Sequence, residues 1–203
     1  YRDGRVYGRG TEDNGQSIIS AMFSSRAVLD QELQGMSLGV AYVADEETTR
    51  MKGIRHLLDL GVFSKDDIII VPDWGSPGGT LVEVAEKSVL WLRVSVEGKT
   101  CHGSSPQSGL NAYRVSTYLL ADLLDRLPER FPARDGMFRP PESTFEPTKR
   151  PATVENVNTI PGHDEFCMDM RILPVYPVDE VLGFVRSVAS EHAERTGAGI
   201  SVE

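Results

Sequence analysis

The apolar pattern predicts a mixed α/β protein in two parts: strand and helix units of the parallel type over residues 1–87, then a β-α-β-β-α-β unit over residues 88–203. Three observations carry this. Short apolar runs at 40–43 and 68–71 alternate with stretches of helical periodicity. Residues 90–97 then change to a period of two, and two further strand patterns follow, flanked by two long apolar helix patterns. A chain of 203 residues is long enough for one large domain or two small ones.

Taken in order, Ile18, Met22, Leu29 and Leu33 share one helical face. Val40, Ala41, Tyr42 and Val43 read as a buried strand, and Met51, Ile54 and Leu58 as the face of the next helix. Ile68, Ile69, Ile70 and Val71 form a second buried strand, and this alternation suits parallel units with right-handed crossovers. Leu90, Leu92, Val94 and Val96 alternate with Trp91, Arg93, Ser95 and Glu97, giving a strand with one buried face. A helix through Leu119, Leu120, Leu123, Leu124 and Leu127 precedes a loop containing Pro128, Pro132, Pro140, Pro141, Pro147 and Pro151. Strands are expected at 153–158 and 166–172, a helix buries Val178, Val181, Leu182, Val185, Val188 and Ala189, and a last strand starts at Ile200.

Hydrophobic residues make up 40% and charged residues 25%, values that support a packed core and argue against wholesale disorder. No apolar run approaches the roughly 18–20 residues that span a bilayer, so no membrane role is expected. A net charge of -9 repels a phosphate backbone, which removes nucleic acid from the expected partners. Two cysteines, Cys101 and Cys167, are too few for a disulfide framework and fit a reducing cytoplasm. The chain starts at Tyr1 without an initiator Met and stops inside a strand pattern, so a fragment is expected.

The acids suggest the chemistry. In open parallel sheets ligands bind beyond the carboxyl ends of the strands. Asp45, Glu46 and Glu47 follow the run ending at Val43, Asp73 follows the run ending at Val71, and Asp13 stands where residues 6–8 lead through Gly10 into the first helix. Singly, each acid reads as a helix cap or a turn residue. On one shared rim they repel one another unless a cation neutralises them, and a metal site follows. Gly8-Arg9-Gly10 opens like a dinucleotide loop, but Asp13 occupies the place of the third glycine and would repel pyrophosphate. An EF-hand fails on ligand spacing, and Ser104 and His102 lack the nucleophile elbow of a serine hydrolase.

Five ordered motifs then resemble the M20 metallopeptidases, a family of desuccinylases, deacetylases, aminoacylases and carboxypeptidases. They are Gly8-Arg9-Gly10-Thr11-Glu12-Asp13; Asp45-Glu46-Glu47; Pro72-Asp73; Gly98, His102, Gly103, Ser104, Pro106, Gly109, Asn111 and Ala112; and Asn158, Ile160 and Pro161 with Asp169 and Arg171. Thr144-Phe145-Glu146-Pro147-Thr148 looks most like the succinyl-diaminopimelate desuccinylase and acetylornithine deacetylase branch.

The resemblance implies part of a parallel-sheet zinc-hydrolase catalytic domain (residues 1–87) and an inserted ferredoxin-like lid and dimerisation domain (88–203). It implies two zinc ions per subunit in the complete protein, with cobalt or manganese as alternatives. Asp13 would bridge them, Glu47 and Asp73 would each ligate one, and Glu46 would be the general base. His102 would reach the partner's site and stabilise an oxyanion, while Asn158 and Arg171 would grip a substrate carboxylate. A turn or helix-start role for Asn111 and Asn158, and a surface ion pair for Asp169 and Arg171, remain open beside these. The implied substrate is an N-acyl amino acid or short peptide, and the implied assembly is a homodimer through the lid. The alternatives are a dipeptidase or carboxypeptidase with the same metal core, or a non-catalytic binding protein. The family's zinc-binding histidines fall outside these 203 residues, so an incomplete site of much reduced zinc affinity, and an inactive fragment, are expected.

Overall fold

The computed structural model describes every residue from Tyr1 to Glu203 except Glu32, Gln34, Thr49, Trp74, Gly75 and Pro77. The chain divides into two compact units, Tyr1–Glu83 and Val84–Glu203.

The first unit holds two helices, α1 (Gly15–Leu29) and α2 (Lys52–Asp59). The expected faces lie on them, Ile18, Met22 and Leu29 on α1 and Ile54 and Leu58 on α2, whereas Leu33 falls past the end of α1. The two expected strands are corrected: residues 40–43 and 68–71 join no ladder, and Ile68 and Ile70 are 86% and 83% exposed. The physical reason is the lack of neighbours. A buried strand is held by hydrogen bonds at its edges and apolar cover on its faces, and none of the described residues of this unit is buried.

The second unit builds the mixed α/β fold. Its strands are β1 (Ser88–Glu97), β2 (Cys101–His102), β3 (Thr144–Lys149), β4 (Thr159–Ile160), β5 (His163–Ile172) and β6 (Gly199–Val202), with helices α3 (Ala112–Arg130) and α4 (Val178–Thr196). The sheet runs β3-β5-β1-β6, antiparallel at every pairing, while β2 and β4 form a separate two-stranded ribbon. Omitting that ribbon, the order in the chain is β-α-β-β-α-β.

Alternation sorts each central strand onto two faces. Leu92 and Val94 of β1 and Phe166, Met168, Met170 and Ile172 of β5 face the helices. Leu119, Leu123 and Leu127 of α3 and Val181, Val185 and Val188 of α4 close over them, all six fully buried. Phe131 ends this layer, edge-on to Tyr176 and Phe184 at 5.0 and 5.8 Å between centroids.

Two further expectations are corrected. Residues 153–158 form no strand; the second strand of the sheet is β3, inside the segment the prolines mark as loop. Pro147 is tolerated there because β3 is an edge strand, and the register shifts between Pro147 and Lys149. Helix α3 also continues through Pro128, which the proline pattern assigns to the loop, to Arg130.

Candidate functional site

The acids come together within Tyr1–Glu83. Asn14, at the start of α1, donates from Nδ2 to Asp73 Oδ1 at 2.8 Å, tying the α1 entry to the Pro72-Asp73 turn. Gly53 in α2 lies so close to Ala44 that a Cβ there would stand 2.6 Å from the Ala44 carbonyl oxygen, which sets α2 against the segment leading to Asp45, Glu46 and Glu47. The Glu47 carboxyl is pushed above the usual range, first by a hydrogen bond with Asp13, then by the charges of Asp13 and Glu46, with slight desolvation and the charge of Asp73 adding to it.

Asp13, Glu46, Glu47 and Asp73 all reach solvent, which screens this repulsion. Mutual repulsion of this kind is what a cation would relieve, and in donor type these acids suit a divalent metal. They supply only part of a zinc sphere. Among the described residues no three or more His, Cys, Asp or Glu side chains are disposed to hold an ion, and no imidazole joins the acids.

In the second unit the ribbon carries His102 opposite Thr159, and Cys101 opposite Ile160. Its base is built by close backbone approaches. The Gly98 amide donates to the Gly162 carbonyl at 2.7 Å, Ala112 to Pro161 at 3.0 Å, and Lys99 and Leu110 exchange two hydrogen bonds at 2.8 and 2.9 Å. A Cβ on Gly109 would come within 2.5 Å of both Cys101 Sγ and the Lys99 carbonyl oxygen, so the glycine is required where these segments cross.

Asn158 adjoins His102. Its carbonyl accepts from the Gly103 amide at 2.7 Å, and its side-chain amide lies 3.3 Å from His102 Nε2. Ser104 meets the other ring nitrogen: its Oγ is 2.8 Å from Nδ1, and its backbone N–H donates to Nδ1 at 3.2 Å. Asn111 is a helix cap, its Oδ1 accepting from the Arg114 amide at 3.0 Å.

Arg171 stands elsewhere. It lies near the far end of β5 from His163, roughly 27 Å along the strand at the usual rise per residue. There it binds Asp169 by two bonds, Nε to Oδ1 at 2.6 Å and Nη2 to Oδ2 at 2.9 Å, and the Trp91 indole donates to the same carboxylate at 2.8 Å. Arg171 first, with Trp91 adding, holds the Asp169 carboxyl below the usual range against the opposing desolvation. His102 and Asn158 are therefore brought together within one chain, and Arg171 is not brought to them.

Two polar networks carry no signal in the sequence. Asp164 is 1% exposed; its Oδ2 accepts from the Ser116 hydroxyl and from Arg150 Nη2, the latter at 2.7 Å, and the guanidinium lies 4.0 Å from the Tyr113 ring centroid. Asp122 accepts from buried His192 at 3.0 Å and from Arg126, which also grips Glu191. Desolvation raises the Asp122 carboxyl, but the bonds from His192 and Arg126 outweigh it and the net shift is downward. Most of these partners stand too far apart along the chain to leave a local pattern.

A groove of about 760 Å³ beside α3, lined in part by Asn111, Arg114, Tyr118, Asp122 and Arg195, includes neither His102 nor the acids. No helix among the described residues is long and apolar enough to cross a membrane.

Residues 84–197 match the family model described as the peptidase dimerisation domain, more than half of the chain. The chain belongs to this M20 peptidase family. A protein of Methanocaldococcus jannaschii named as an uncharacterized metallohydrolase is 43% identical over 188 residues, covering 91% of this chain and 46% of that protein. Acetylornithine deacetylase of Vibrio atlanticus is 28% identical over 193 residues, covering 92% of this chain and 48% of its own length. A crystal structure of a hydantoinase/carbamoylase family amidase from Burkholderia ambifaria is 21% identical with a TM-score of 0.49, covering 58% of this chain and 27% of that one. The chain thus spans about half the length of the curated relatives it matches.

Proposed function

We propose that these residues belong to a metal-dependent hydrolase that cleaves the amide bond of an N-acyl amino acid, of the desuccinylase or acetylornithine deacetylase type, and that works as a homodimer through residues 88–203. The observation that carries the reading is the hydrogen bond between Asp13 and Glu47, with Glu46 and Asp73 near enough for their charges to raise the Glu47 carboxyl further. Asp13, Glu47 and Asp73 would hold two zinc ions, with cobalt or manganese as substitutes, completed by imidazoles outside these 203 residues. Such a pair, when bound, polarises an amide carbonyl and acidifies water. The metallohydrolase and deacetylase names of the relatives support a metal and an amide substrate.

The chain's own groups divide the remaining work. Glu46 takes a proton from the attacking water and returns it to the leaving amine. His102 donates from its ring to the developing oxyanion of the other protomer. Asn158 and Arg171 bind the substrate carboxylate, Arg171 through its planar fork. With Arg171 near the far end of β5 from His163, this reading requires that a carboxylate touching both Asn158 and Arg171 draws them from different protomers. The two free cysteines support a cytoplasmic location.

The test is hydrolysis by a protein of the relatives' full length across N-acyl amino acids and dipeptides, with metal content measured in parallel. Glu46→Ala should retain metal and lose turnover by a factor of about 100 or more. Faster cleavage of dipeptides would make the protein a peptidase with the same core. Full metal occupancy without turnover on any substrate would favour a binding protein.

A further inference from the structure

We infer that Ser104 is a positioning residue that sets the tautomer of His102, leaving Nδ1 as an acceptor and Nε2 as the protonated, outward donor. The starting point is the one group whose direction admits no choice. A backbone N–H only donates, and the Ser104 amide is directed at His102 Nδ1 from 3.2 Å. A proton on Nδ1 would set two donors against each other, so Nδ1 presents its lone pair. The Ser104 hydroxyl, 2.8 Å from the same atom, then donates as well. In the neutral ring the proton resides on Nε2.

This assignment reaches Asn158. Its amide group faces Nε2 at 3.3 Å, and an NH2 group there would again oppose donor to donor. Amide oxygen and nitrogen are assigned from the hydrogen-bond network, so the side-chain oxygen of Asn158 belongs on this side, accepting from Nε2–H. The ring is thereby held at both nitrogens, by Ser104 and by Asn158, while the residue as a whole stays exposed. In the resting state Asn158 occupies the donor that an oxyanion would take, and the Ser104 pair keeps the proton on Nε2 when Asn158 is displaced. Pro106 opens the short helical turn Pro106–Ser108 that follows, and the Ser105 amide bonds the His102 carbonyl at 2.9 Å, so residues 102–105 form a closed turn that aims the Ser104 amide inward.

The kinetic consequence rests on the proposed role of His102; the tautomer does not. The first arm is therefore spectroscopic, on the 203-residue chain with its histidine rings labelled with nitrogen-15. Long-range proton–nitrogen correlations at neutral pH should show His102 with an unprotonated Nδ1 and a protonated Nε2, and Ser104→Ala should weaken that preference while Ser104→Thr retains it. A protonated Nδ1 in the parent overturns the inference, and a spectrum unchanged by Ser104→Ala overturns the part assigned to the hydroxyl, because alanine keeps the backbone N–H. The second arm uses the full-length enzyme. Ser104→Ala should lower kcat roughly tenfold, the worth of about one hydrogen bond, with KM nearly unchanged and Ser104→Thr restoring activity. In a His102→Ala background Ser104→Ala should add nothing. Independent losses from the two changes would overturn the coupling. A wild-type rate for His102→Ala with the expected spectrum would instead refute the proposed role of His102 and leave the tautomer assignment standing.

Discussion

Replacing Arg150 with methionine removes one partner of a buried charge pair and leaves the other in place. Asp164 is 1% exposed and Arg150 about a quarter exposed, and they meet at 2.7 Å. Asp164 would keep the Ser116 hydroxyl bond, but its Oδ1 already has no partner among the described residues, so the charge gains no second solvating group. Breaking a buried pair from one side costs about 3–5 kcal/mol. The guanidinium also lies 4.0 Å from the Tyr113 ring centroid, a contact worth about 0.5–2 kcal/mol that the methionine thioether replaces in part. We expect about 3 kcal/mol in all, the lower end of the range because the guanidinium is partly solvated. For a unit of the size of Val84–Glu203 this corresponds to a fall in melting temperature of about 10 °C. Urea titration followed by far-ultraviolet circular dichroism measures it. The double variant Arg150→Met with Asp164→Leu should recover most of the loss, because neither charge is then stranded. A single-variant loss below about 1 kcal/mol, or a double variant no better than the single, would show that no buried charge is stranded by the change.

Two other perturbations test different parts of the second unit. The Asp169 carboxyl is held below its usual range by Arg171 and Trp91, so its contribution to stability is complete above about pH 4, the ordinary carboxylate value, and is lost as pH falls through the depressed folded value. Arg171→Gln should therefore flatten the acid limb of urea midpoint against pH below about pH 4, and an unchanged slope would show that the pair is not formed in solution. Gly109→Ala would place a Cβ 2.5 Å from a backbone carbonyl that cannot yield, with an expected loss of about 1–3 kcal/mol in the same titration and amide shifts centred on Cys101 and His102. Shifts confined to residue 109 would mean that the crossing is loose.

The residues of the candidate site are legible in unequal degree. Asp13, Glu46, Glu47 and Asp73 stand out by their positions after apolar runs, and they converge although the runs at 40–43 and 68–71 form no strands. Their convergence rests instead on the Asn14 bond to Asp73 and the close seating of Gly53 on Ala44. Motif singles out His102 and Asn158, but their contact is made by a ribbon only two residues long on each strand, too short for a periodic signal. Pro147 misdirects the reading of β3 because proline excludes a central strand but not an edge one, and nothing local distinguishes the two.

Local pattern was enough to specify the two long helices and the two central strands of the second unit, because amphipathic period is a property that each segment carries along its own length. Motif spacing likewise marked Gly98 and Gly109 at the crossing beneath His102. The pairing of polar groups was settled elsewhere, in the packing of distant segments. Arg150 meets Asp164 and His192 meets Asp122 where packed elements converge, and the turn after β2 brings Ser104 back onto His102. Hydrogen bonds and ion pairs act over about 3 Å, and no feature of a segment read alone says which residue will arrive within that distance.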